Sequence, residues 1–370
     1  MMAGQLSPTP RPSSRRAKRP GVKPMPLYDV PIWAMDDRPF PPEGFSGAGW
    51  KLTAPEVPLE SGAPHLTKHF LRMRKKYPRY SLTQVSDLRG LGRIAPQLLL
   101  KAPSRIAAQR AFSLLQAALA AMDGHAGFEI EDAIVIPADR RKLEDLNEHD
   151  VMAASSNIMA RRSVLFASRL AAKLSRGAAL QYAAFKLQLS YRIASAHYTE
   201  VSPTYHRKRF GVSTARIDHV TMASAVTLAY SAIEEMQLEP RPYGNRPIKN
   251  NGVWDEEAYR GLRGRLDRAG VSSAEPVNWN VRGTPTRVHR AERAPKGKRM
   301  SWTKGQVRDR GVSVEDALLA ASWLRSKCTT HKFGKATTSI SMFDVFNVQS
   351  LTRRLLLERT GIWEDILKKG

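Results

Sequence analysis

Cysteine occurs once in the 370 residues, at Cys328. A single thiol excludes an internal disulfide framework and a zinc site built on several cysteines, and it makes a reducing cytoplasm the expected setting. Long apolar runs are missing too: no stretch approaches the roughly 20 residues that a membrane-spanning helix needs. Acidic residues are scarce, 34 Asp and Glu against 59 Lys and Arg, for a formal net charge of +25. So large an excess points to a polyanionic partner, with a merely compositional use of arginine as the bland alternative. The signatures of nucleotide and acyl chemistry are also lacking. There is no P-loop, no GxGxxG behind a strand and no Gly-x-Ser-x-Gly elbow. His65 and His69 stand four apart, as two ligands on a helix would, but no second ligand cluster accompanies them, so no metal or other cofactor is expected.

What is present reads mainly as helix. Residues 1–28 carry six basic residues, several prolines and no acid, which predicts a disordered tail. Residues 29–150 read as a small mixed α/β region, with proline-punctuated extended pieces in 29–62, a helix over Ala107–Met122 stopped by Asp123-Gly124, and a strand within 128–137. Residues 151–370 read as a helical domain. Its centre, Asn157–Tyr198, is Ala- and Leu-rich with a break near Gly177, and ASAVTLAYSAIEEMQL (223–238) gives another helix, ended by the Pro240–Gly244 cluster. The fold class expected is therefore a mainly α helical bundle with a small mixed N-terminal region and a long irregular insertion at about 240–312. That insertion carries one credible helix, near 254–269. Between Arg282 and Arg310 it holds ten basic residues against two acids, flanked by Trp279 and Trp302. Arg287, Arg290, Arg293, Lys298 and Arg299 are its candidate phosphate contacts, with the tryptophans as stacking surfaces or as anchors to the body.

Two well-signalled helices close the chain. Ser313 with Asp316 fits a capping box ahead of Leu319 and Trp323, and Gly334 is the expected stop. Ser341 and Asp344 repeat the signature before Val345, Val348, Leu351 and Leu355 on one helix face. Arg325 and His331 fall between these helices. The bare spacing recurs three times, at Arg192/His197, Arg282/His289 and Arg325/His331, as often as chance gives for 39 arginines and nine histidines, so context has to choose. Arg325/His331 is favoured because it lies at a break between capped helices. On a regular helix six residues turn through roughly 600°, leaving the two side chains about 120° apart, so they converge only if the helix loosens or a second chain supplies the partner.

A glutamate-bearing apolar helix (SAIEEMQL), an Arg-x5-His element (LRSKCTTH) and a final helix (DVFNVQSLTRRLLLE), in that order, resemble the HEPN superfamily of all-α domains common in prokaryotic toxins and anti-phage defence. The resemblance covers residues 157–360 at most, and its specific part is 223–238 with 313–359. It implies metal-independent RNA cleavage at a homodimer interface, on tRNA or mRNA, with no cofactor. Under it Arg325 holds the scissile phosphate and His331 moves the proton of a ribose 2′-hydroxyl. Glu234 or Glu235 orients the arginine, Ser326 fills the polar position after it, and Lys327 and Lys332 add phosphate affinity. A non-catalytic RNA- or DNA-binding protein using the basic tail and the 282–310 run is the alternative, and a helical protein of purely structural role is a third. Cys328 reads as a small buried apolar residue.

Overall fold

Alternation in two short segments builds the sheet of this protein, whose computed structural model describes residues 28–33, 40–53, 97–126, 136–137, 164–194, 216–250, 252–282, 307–326, 340 and 342–364. In β1 (Tyr28–Trp33) Val30 and Ile32 are buried, and in β4 (Gln97–Ala102) Leu98, Leu100 and Ala102 are. The two strands pair antiparallel with Val30 opposite Leu100, so one face of the pair is continuously apolar. The hairpin of β2 (Phe45–Gly47) and β3 (Trp50–Thr53) adds on through β3, and β5 (Ile136–Pro137) adds on the other side of β1, giving the order β2-β3-β4-β1-β5. The strand expected within 128–137 thus contributes Ile136–Pro137, and the rest of it lies outside the described residues.

Helix α1 (Arg105–Asp123) covers that apolar face. Ser104 caps it, its Oγ accepting from Ala107 N at 3.1 Å, and Gly124 ends it in the left-handed region at φ 76°. The break foreseen near Gly177 separates α2 (Val164–Leu174) from α3 (Ala178–Ile193). There Ser175 Oγ donates to Ala172 O and accepts from Ala48 N, which ties the break to the β2–β3 turn. Helix α4 (Arg216–Glu235) is longer at its start than the sequence suggested. It ends before the proline cluster, at a turn with Gln237 at φ 59° and Leu238 N bonded back to Ile233 O.

The 240–312 region is more regular than the sequence implied. It holds a small ribbon, β6 (Lys249–Asn250) with β7 (Val253–Trp254), the expected helix as α5 (Glu256–Arg268), and a six-residue antiparallel ribbon of β8 (Val277–Arg282) and β9 (Val307–Val312). Val277 and Trp279 are buried, so Trp279 is an anchor to the body rather than a stacking surface, while Trp302 lies outside the described residues. Helix α6 (Val314–Leu324) starts at Ser313, whose Oγ accepts from Asp316 N. The Asp316 carboxylate accepts instead from Lys249 Nζ and Trp254 Nε1, both at 2.9 Å, and so pins the β6–β7 ribbon to α6.

Helix α7 (Met342–Arg359) runs through the middle of the bundle. Val345, Val348, Leu351 and Leu355 are buried as expected, but so are Asn347, Gln349, Thr352, Arg354 and Glu358 on other sides. The helix is therefore enclosed nearly all round, and its polar residues reach partners in every neighbour. Gln349 donates to Ser190 Oγ and Ala194 O on the α3 side, and Thr352 donates to Ala229 O of α4. Arg353 donates to Ala121 O and Met122 O at the end of α1. Arg354 donates to Glu358 and to the carbonyls of Ser272, Glu275 and Pro276. One apolar core extends from Val30 of the sheet to Ile362 beyond α7, across the boundary expected at 150. The protein is mainly α, and no helix among the described residues is long and apolar enough to cross a membrane.

Candidate active site

Two polar rungs connect α4 with the end of α6. The inner one joins Tyr230, with only 3 % of its surface exposed, to the side chain of Ser322. The outer one joins Glu234 to Arg325, with Oε1 3.6 Å from Nη2. Residues 230 and 234 are one turn apart on α4, and 322 and 325 nearly one turn apart on α6, so helical periodicity aligns the rungs.

Burial pushes the Tyr230 hydroxyl up to about 12, with the neighbouring carboxylates of Glu234 and Glu239 acting in the same direction and Ser322 and Arg325 against it. The phenol is thus a neutral prop, wedged under the ion pair. The outer rung differs in kind. Its side chains are 39 % and 35 % exposed, and 3.6 Å is an electrostatic contact rather than a close hydrogen bond. Such an exposed pair is worth about 0–1 kcal/mol.

The two glutamates that the sequence could not separate have different neighbours. Glu235 turns to α3, where Lys186 Nζ donates to its Oε1 at 2.6 Å and to Ser231 Oγ at 2.9 Å. Glu234 turns to α6 and Arg325. Of the pair, Glu234 is the one that contacts the arginine, and Glu235 ties α4 to α3.

Helix α6 changes pitch at this point. Its α-helical turns end at Leu324, and Arg325 and Ser326 lie in a wider, π-helical turn. Departures of this sort gather at functional positions. His331, Lys327, Lys332 and Cys328 lie outside the described residues, as do Gly334, Ser341, Arg287, Arg290, Arg293, Lys298 and Arg299.

Tyr230, Ser322 and Lys186 were missed in the sequence. The signal was there for the first two, since each stands on the same helix face as a residue already singled out. Just past α4, Glu239 accepts from Arg241, and its backbone carbonyl accepts from Arg265 Nη2 at 2.9 Å. No family model matches the chain, and no curated protein or solved structure does either.

Proposed function

We propose that the protein is a metal-independent, HEPN-like ribonuclease acting as a cytoplasmic homodimer through Arg325 and His331. The observation that supports it most is the half-exposed Arg325–Glu234 pair, mounted on two helices and propped by the buried Tyr230–Ser322 contact. A permanently charged, half-exposed fork at a helix end suits transient binding of a phosphodiester.

In this reaction a ribose O2′ attacks the adjacent phosphorus and the P–O5′ bond breaks, leaving a 2′,3′-cyclic phosphate and a 5′-hydroxyl. One neutral His331 accepts the O2′ proton, and His331 of the partner subunit, as imidazolium, gives a proton to O5′. Arg325 neutralises charge gathering on the non-bridging oxygens. A toxin or anti-phage setting, with tRNA or mRNA as target, belongs to the same proposal.

The test is cleavage of labelled RNA in the presence of EDTA by wild type, Arg325→Ala and His331→Ala, each checked for folding by circular dichroism. Cleavage by wild type, abolished in both variants, is the expected result. Equal cleavage by all three overturns it, and RNA bound but uncut by all three points to a nucleic-acid-binding protein instead.

A further inference from the structure

Arginines on the exposed side of α5 fall into two groups. Arg260 is matched by Glu256 and Glu257 at 2.7 and 2.8 Å, and Arg263 lies 3.6 Å from the buried Glu315 and donates to Tyr259 Oη. Arg265 and Arg268 stand in the last turn, Arg241 follows two residues after Glu239, and Arg241 and Arg265 both bond to Glu239. One carboxylate oxygen of Glu239 takes Arg241, while its Oε2 and Arg265 Nε are both buried without a hydrogen-bond partner. Burial, and then the charges of Arg241 and Arg268, make the cationic form of Arg265 harder to hold, with Glu239 opposing them.

No bulky side chain crowds this cluster from the helix beneath it. Gly261 and Gly264 stand where a Cβ would lie 3.8 Å from Arg265 Nη1 and 3.6 Å from Arg268 Nη1. Arg241 is half-exposed, and Arg268 is exposed. The charges of Arg241 and Arg268 both act against that of Arg265, and an arriving anion relieves the repulsion.

We infer that Arg241, Arg265 and Arg268 form a docking site for the phosphodiester backbone of RNA. This rests on the proposed ribonuclease function for the identity of the strand, and on the arginine geometry for the site. Backbone contacts fix position and carry no sequence preference, so the site acts on affinity rather than on which bond is cut.

The experiment uses the full chain with His331→Ala, so that bound RNA stays intact, and follows fluorescence anisotropy of a labelled single-stranded RNA over a range of salt. With Arg241→Gln and Arg268→Gln added, the slope of log K against log salt becomes shallower by about 1.4, because each lost phosphate contact on single-stranded nucleic acid removes about 0.7. Arg241→Lys with Arg268→Lys keeps the slope, which separates lost charge from damaged folding. With His331 intact, the glutamine pair raises KM and leaves kcat in place. Unchanged affinity and slope in the glutamine variant, while wild type still cleaves, overturns the docking site alone. A shallower slope in a protein that never cleaves RNA keeps the site and overturns the ribonuclease function.

Discussion

Tyr230 and Glu234 stand one turn apart on α4 and face Ser322 and Arg325 on α6 in the same order, so the two helices carry matched polar positions. The buried rung fixes where the exposed rung sits. Glu234→Gln keeps the shape and removes the charge that orients Arg325. It is expected to lower kcat for RNA cleavage by about 10- to 100-fold, the scale of a misplaced catalytic group. Glu235→Gln, which loosens only the Lys186 contact, changes kcat much less. Equal losses in the two variants would count against Glu234 as the positioning residue.

The alkaline stability of the fold follows from two tyrosines. Burial pushes Tyr191, like Tyr230, up to about 12, with the charge of Arg353 opposing it. Their ordinary value is about 10. A group raised on folding contributes stability that is complete below its unfolded value and is lost as pH rises through its folded one. Stability should therefore fall between pH ~10 and ~12, where the unfolded chain has released protons that the folded chain retains. Chemical denaturation across that window is expected to be flatter with pH in Tyr191→Phe and Tyr230→Phe, and an unaltered slope refutes the assignment.

Arg354 is the strut between α7 and the 272–276 segment. Its replacement by Ala strips a partner from buried Glu358 and from three backbone carbonyls. Removing one member of such a buried pair costs about 3–5 kcal/mol, and the effect is expected as a lower denaturation midpoint together with faster amide exchange at Ser272, whose N–H bonds to Glu358. A midpoint within error of wild type would refute the strut.

Gln349→Leu tests the polar node between α3 and α7. Leucine fills similar space but leaves the Ala194 carbonyl without its donor, for an expected loss of about 1–3 kcal/mol in urea denaturation. A stabilised variant would show that the node contributes nothing net.

Helix punctuation was legible in the sequence because it is local. Gly124 and the break before Gly177 are set by residues within one turn of where they act, and so is the Ser313 cap. The β8–β9 ribbon was not legible, since Val307–Val312 reads as a charged fragment until its partner strand, far back along the chain, gives it an apolar neighbour. The site divides in the same way. Arg325 and the adjacent glutamates could be named from spacing, but neighbouring residues on a helix differ by about 100° in direction. Only the positions of Lys186 and Arg325 decide which glutamate faces which helix. The π-helical turn was hidden as well, because Leu324, Arg325 and Ser326 are ordinary helix residues.

The β8–β9 register has a consequence for how this protein can be taken apart. Arg282 lies opposite Val307, so the chain leaves the ribbon and returns to it one strand spacing away, about 5 Å. Residues 283–306 therefore join two strand ends that are already paired with each other. A two-residue Asn-Gly turn can replace residues 283–306 without shifting the frame that carries Arg325. Such a trimmed chain would part the contribution of the charged segment from that of the helices.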